Sequence, residues 1–447
     1  MRRIRGELLF MRAYAYYQLA TNFCPAYIAG GANDSRILVK RDSVVYNSSS
    51  ALNNSPVPTS EIYDLMVSDL KQAKAFLPAN WAPGMNVAYK NRARANKWAA
   101  SALLAQVYFT MGKFGGTESA LTEYDDIITN GGYSLSADPF TNFSNQSTTL
   151  EKSENSEVIF WAYYADQRLW DAKISTKMHE ALRYTHFNKC GRDAMNGGNG
   201  NTSAGTSPKW SIFLSWIQMV MAKNALTEMG WINADGTEPN TAKWDKRYNN
   251  PGTDATYVNQ KGLFYRFEGA YTNLAAFTTA KGITQLGRRK GASDDGKYIV
   301  DSKFAAFIGK EEPVILINKY YRSAGGTRQN IPVIRLGEIY LNRAMCRLKT
   351  NQGDADADYN MVASRAWNTT LGGPYTPKSG VTERDVLVQR WKELAGEDAW
   401  YVPFCEACGF TIGAGDRLDN STDLMAPYST AYWSNSIPLS EIDFQKK

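Results

Sequence analysis

The sequence predicts a mainly α-helical fold, a scaffold of tetratricopeptide-like helical hairpins carrying a loop-rich, irregular insertion. Three observations support this. Apolar residues recur at steps of three and four over residues 1–135 and again within 310–447. Large rings alternate with alanine along those stripes, as close-packed helix pairs require. Over residues 136–309 Gly, Asn, Ser and Thr interrupt the periodicity. The 447 residues could form two or three domains or one extended body. The three parts are read as one structural unit.

The first helix is predicted from Gly6 to Leu19, where Phe10, Ala13, Tyr14 and Tyr17 share a face and small Ala13 admits a neighbour. The second lies between Pro58 and Pro78, with Ile62, Leu65, Met66, Asp69, Leu70, Ala73 and Phe76 on a mostly apolar stripe of about four turns. The third spans Asn96 to Met111, with Trp98, Ala102, Ala105 and Phe109 on its stripe and Gly112 at its end. A fourth carries Leu121, Tyr124 and Ile128 and closes at Gly131-Gly132. Later, Val333, Leu336, Ile339, Tyr340 and Ala344 form a helix whose antiparallel partner, after Gly353, carries Tyr359, Val362, Ala363 and Trp367. Two helices joined by a short Gly-containing turn are the mark of tetratricopeptide packing. The units are irregularly spaced, so ordinary packed helices without a solenoid remain an alternative.

The middle of the chain differs in kind. Asn196-Gly197-Gly198-Asn199-Gly200-Asn201 is its extreme, and six of the twelve Trp fall in it: Trp161, Trp170, Trp210, Trp216, Trp231 and Trp244. Long loops of this sort are where ligands bind on a rigid scaffold.

Composition excludes several classes. Lys and Arg number 50 against 44 Asp and Glu, an excess too thin for a nucleic-acid partner. No apolar run is long enough to span a membrane. The only two His, His179 and His186, leave few routes to His-based catalysis. Five Cys exclude a dense disulfide framework and leave at least one thiol unpaired; Cys405 and Cys408 are read as a local disulfide or two free thiols. A zinc set of Cys405, Cys408, His186 and Cys190 is set aside because one Cys pair lies so far from the other ligands. Asp354, Asp356 and Asp358 have calcium-loop spacing, but Tyr359 and Arg365 stand where Gly and a bidentate Glu are needed. They read as the solvated acidic start of a helix. The glycines from Gly282 to Gly287 meet Arg288, not the Lys of a phosphate loop. No cofactor or metal is expected.

Four segments in order carry a family resemblance: Arg5-Gly6-Glu7-Leu8-Leu9-Phe10-Met11-Arg12-Ala13-Tyr14, Ala95-Asn96-Lys97-Trp98-Ala99-Ala100 leading to Leu103-Leu104-Ala105-Gln106-Val107-Tyr108, the run Ile331 to Ala344, and Ile437-Pro438-Leu439-Ser440-Glu441-Ile442-Asp443. Ile127 to Leu135 reads like the family's turn after a repeat helix. With these, the chain resembles the SusD/RagB glycan-binding proteins of Bacteroidetes outer membranes over nearly its whole length. The resemblance implies a non-catalytic, surface-exposed outer-membrane protein that hands an oligosaccharide or polysaccharide to a SusC-like TonB-dependent transporter. Membrane attachment is then expected only through a lipid anchor that this chain does not contain; Cys24 has no preceding signal segment. The chain departs from the family pattern at Arg390 to Trp400, where a basic stretch is weakened, and it reads as N-terminally incomplete.

By similarity, Trp210 takes the place of a stacking Trp and Tyr184 of a stacking Tyr, with Arg192, Asn196, Asn199 and Asn201 as hydroxyl partners. Sugars are held by a ring face under their C–H groups and by hydrogen bonds to their hydroxyls. Trp210 as a core plug, and the Asn-Gly loop as plain solvated chain, are the bland alternatives. Two other classes remain: a scaffold binding proteins through its helices, and a glycoside hydrolase needing paired carboxylates. Glu393 and Glu397 would share a helix face, although such pairs are usually solvated. No Gly-x-Ser-x-Gly elbow exists for a serine hydrolase.

Overall fold

The computed structural model describes residues 1–44, 46, 55–80, 92–144, 155–162, 223–248, 263–266, 315–317, 319, 331–397 and 400–410. Helix α1 (Arg2–Phe23) buries Phe10, Ala13, Tyr17 and Ala20 and lies along α2 (Thr59–Phe76). Gly6 permits the close approach, since a Cβ there would stand 2.9 Å from Leu77 Cγ. Strands β1 (Arg36–Val39) and β2 (Pro56–Pro58) pair antiparallel between the two helices. The mostly apolar stripe of α2 does bury an acid, Asp69, because Arg12 grips both its oxygens at 2.7 Å. At 18 residues α2 is a turn longer than predicted.

Helix α3 (Lys97–Thr110) shows what periodicity missed. The predicted stripe is buried, but so is every other residue from Trp98 to Thr110. Ala99, Ala100, Ala102 and Ala105 are small enough for neighbours to close in on all sides, so the helix is the axis of the core. Its start is set by Asn96, whose side chain accepts from the Ala99 N–H at 2.8 Å. Its end is a Schellman turn: Gly112 at φ +72° lets the Lys113 N–H reach the Tyr108 carbonyl at 2.9 Å. Replacing Asn96 by Ala removes the cap and a hydrogen bond to Tyr133, and is expected to cost about 1–2 kcal/mol of stability. Thermal unfolding of the variant checks this.

Helix α4 (Ala120–Asn130), capped by Ser119, packs on α3 through Leu121, Tyr124 and Ile127. The chain next forms β3 (Val158–Ala162). The short helix α5 (Lys223–Glu228) precedes a 3-10 turn at Asn240–Trp244, and β4 (Phe264–Arg266) pairs with β5 (Ile315–Ile317). Strand β6 (Ile331–Arg335) pairs antiparallel with β3, Val158 opposite Arg335 and Ala162 opposite Ile331. This corrects the helix predicted to include Val333: Ile331, Val333 and Ile334 are β-branched, Pro332 bars a helical interior, and the helix starts at Leu336.

Helices α6 (Leu336–Thr350) and α7 (Ala355–Ala366) form the predicted antiparallel hairpin, and α8 (Glu383–Leu394) packs on both. Helix α9 (Tyr401–Cys408) returns to α3, stacking Phe404 on Phe109 at 5.2 Å. The predicted acidic helix start is present, with Asp354 accepting from the Ala357 N–H at 2.9 Å. Asp358 is not solvated, however; Arg343 holds it in a buried bidentate pair at 2.6 and 2.9 Å, which ties α6 to α7. Cys405 and Cys408 form no disulfide with each other, and both are buried. Among the described residues no helix is long and apolar enough to cross a membrane, and no cluster of His, Cys, Asp and Glu could hold a metal ion.

A polar chain runs through the helical core. Asn342 donates to Gln106 at 3.2 Å and to Tyr124 at 3.1 Å, and accepts from Arg390. Gln106 and Thr110 both meet the hydroxyl of Tyr17. Buried polar groups satisfied in this way fix the register of five helices, because a slip would orphan several at once. A second apolar cluster, built from Phe143, Leu226, Trp231, Tyr248 and Phe264, packs under Val388 and Trp391 of α8.

Candidate functional site

Between this second cluster and the α7–α8 pair lies a cleft of about 230 Å³. Its construction begins in the backbone. The Lys246 N–H donates to the Ala366 carbonyl at 2.7 Å and the Asn368 N–H to the Trp244 carbonyl at 2.6 Å. These bonds lash the segment after the 3-10 turn to the end of α7 and set Trp244 edge-on to Trp367, ring centres 5.5 Å apart. Trp367 meets Tyr375 at 5.8 Å and 66°, and its indole N–H donates to the Gly373 carbonyl at 2.9 Å. Gly372 is required here: a Cβ would sit 2.7 Å from Trp367 Cζ2 and 3.0 Å from Trp244 Cγ.

The walls are aromatic and the floor is charged. Trp231, Tyr359, Trp367 and Tyr375 line the cleft, Trp231 fully buried and the other three partly exposed. Burial, then the neighbouring Tyr375 hydroxyl, push the Tyr359 phenol up to about 12. Arg247 forms part of the floor, with Asp245 gripping its guanidinium at 2.8 and 2.9 Å. Lys378 at the rim pairs with Asp385 at 2.6 Å. Lys392 of α8 also lines the cleft, and burial, with Arg247 and Lys378 repelling it, lowers its ammonium to about 8.

Beneath the floor is a buried ion cluster. Glu393 binds Arg247 at 2.8 Å and also pairs with Arg335 and Arg365. Glu157 pairs with Arg335 at 2.9 Å and with Arg365. Glu397 pairs with Arg335 at 2.7 Å and with Lys319. With Asp245, four carboxylates face four cations in a volume almost closed to water. Burial opposes ionisation of Glu393, but Arg365, Arg335 and Arg247 together hold it well below the usual carboxylate range. This corrects the reading of Glu393 and Glu397 as a solvated pair. A glycosidase acid needs a raised pKa, so Glu393 is unsuited to that role.

The residues proposed from sequence, Trp210, Tyr184, Arg192, Asn196, Asn199 and Asn201, lie outside the described residues, as do His179, His186 and Cys190. Of the mid-chain tryptophans, Trp161 and Trp231 are buried and Trp244 is partly exposed at the cleft's edge. Sequence reasoning placed Trp367 and Tyr359 on a helix-packing face and passed over Tyr375 and Lys392. The available signal was Trp367 followed by Gly372-Gly373-Pro374-Tyr375, two rings joined by a turn with no apolar period.

Comparison with known proteins gives a consistent picture. Residues 1–109 match the family described as "Starch-binding associating with outer membrane", and residues 156–402, more than half the chain, match the SusD family. A SusD superfamily protein from Bacteroides thetaiotaomicron superposes with a TM-score of 0.60 at 20% identity, covering 99% of this chain and 76% of that one. A SusD-like carbohydrate binding protein from Bacteroides vulgatus superposes at 0.58 with 16% identity, over 100% and 76%. Another, from Bacteroides fragilis, superposes at 0.54 with 18% identity, over 98% and 78%. At these identities the structures establish the shared fold. No curated protein is matched by sequence.

Proposed function

The chain belongs to the SusD family, which its sequence matches over residues 156–402, and from that premise we propose that it is a non-catalytic, surface-exposed glycan-binding protein. The single observation that carries the reading is the cleft in which Trp367 and Tyr375 present partly exposed rings beside polar groups. A pyranose needs that pairing: its C–H face releases water against a ring, and its equatorial hydroxyls find donors and acceptors at the edge. The solved relatives named as carbohydrate binding proteins support it.

The family description places such proteins at the outer membrane, and we propose the same location here, through a lipid anchor and in partnership with a SusC-like TonB-dependent transporter. The protein's part is capture and delivery, with the glycosidic bond left intact. Affinity electrophoresis through gels cast with a panel of polysaccharides tests the reading. Retarded migration in at least one, with no reducing sugar released, is the expected result; free migration in all of them contradicts it.

Trp210, Tyr184, Arg192, Asn196, Asn199 and Asn201 are proposed as a further part of the binding surface. Replacing Trp210 by Ala is expected to weaken retardation severalfold while helical circular dichroism stays intact. Unchanged retardation removes Trp210 from the site and leaves the cleft as the binding element.

A further inference from the structure

Resting on the glycan-binding reading, we infer that the cleft selects an oligosaccharide that carries a carboxylate, a uronic acid residue seated against Lys392. The lining has a surplus of donors. The Trp231 indole N–H and the Gln389 Nε2 group are buried and have no acceptor among the described residues. Lys392, which also lines the cleft, has no carboxylate within ion-pair distance among the described residues. The carboxylate in the lining, Asp245, is already committed. Asp245 Oδ1 takes the Arg247 backbone and Nε protons at 3.0 and 2.9 Å, and Oδ2 takes Nη2 at 2.8 Å.

A neutral hydroxyl that accepts from one of these donors still brings a proton of its own. A carboxylate brings only lone pairs, and its bond to the Lys392 ammonium is charge-assisted. The cleft therefore holds in place the half of a hydrogen-bond set that an acidic sugar completes, while Trp367 and Tyr375 supply the ring face.

The pH behaviour follows from the groups around Lys392. Asp245 attracts it, Arg247 and Lys378 repel it, and Tyr359 and Tyr375, both raised, stay protonated through neutral and mildly alkaline pH. Burial and repulsion leave the free ammonium titrating at about 8. A bound carboxylate raises it, so affinity is greatest below pH 8 and falls as pH rises through that value.

Isothermal titration tests this with short oligomers of galacturonate, mannuronate and glucuronate, each beside its carboxyl-reduced counterpart. At least one acidic oligomer is expected to bind about tenfold or more tightly than its reduced partner. Lys392→Gln and Lys392→Met should erase the difference and Lys392→Arg should keep it, with thermal unfolding confirming that each variant folds. Equal binding of every acidic oligomer and its reduced partner overturns the inference, as does a preference that survives Lys392→Gln. If only neutral glycans bind, acidic selection fails and the glycan-binding reading stands. If neither acidic nor neutral glycans bind, both fail.

Discussion

Replacing Glu393 by Gln is expected to destabilise the protein by about 3–5 kcal/mol, a large part of the stability of an ordinary fold. The side chain keeps its shape and loses its charge, so the three guanidinium groups it binds, Arg247, Arg335 and Arg365, are left sharing Glu157, Glu397 and Asp245. Burial of the cluster means that water does not screen the imbalance. Such a cluster need not make the fold more stable than an apolar core would. Its value appears when one member is removed and the remaining charges have no partner. Calorimetric unfolding of the variant beside the wild-type protein checks the magnitude.

The pH dependence gives a second readout. Because the folded-state pKa of Glu393 lies below the ordinary 4.5, its stabilisation is present above that value and is lost as pH falls through the folded-state value. Glu157 is also lowered, and its contribution has the same sign. The gap between wild type and Glu393→Gln should therefore be full at neutral pH and narrow in acid. A gap that stays constant into strong acid contradicts the charge-based account. The proposed binding cleft shares Arg247 with this cluster.

Trp367→Ala is expected to cost about 2 kcal/mol of glycan affinity, on the order of thirtyfold. Trp367 is the hinge of the platform, held by Trp244 on one side, Tyr375 on the other and Gly373 at its indole N–H. Removing it takes away a ring face and leaves Tyr375 without the neighbour that orients it. Gly372→Ala should weaken binding by a smaller factor, because its methyl group would push Trp367 and Trp244 out of register without deleting either ring. Titration with a glycan that the wild-type protein retains measures both effects. Wild-type affinity in Trp367→Ala would exclude the cleft as the place of capture.

The helices were legible in the sequence because packing needs a buried face and a face leaves a period. Phe10, Ala13 and Tyr17, Leu121 and Tyr124, and the α6–α7 hairpin all show it. A period cannot report burial on every side, which is why α3 read as a striped helix when it is the core's axis. Nor does it distinguish the final strand residues from the first helical turn, so Val333 was assigned to the wrong element. Charges were the least legible. Glu393, Glu397 and Asp358 have ordinary surface-like spacing, and only their arginine partners, distant in sequence, explain their burial. The same limit applies to the cleft, whose walls come from residues 229–247, 359–378 and 389–392 and meet only through the tertiary fold.

The most direct test is a crystal structure of the protein soaked with an oligosaccharide that it retains in affinity gels. The account predicts an intact sugar chain in the cleft, with one ring against Trp367 or Tyr375 and polar contacts to Lys392 or Gln389. An empty cleft with the sugar bound elsewhere, or a cleaved glycosidic bond in the cleft, would contradict it.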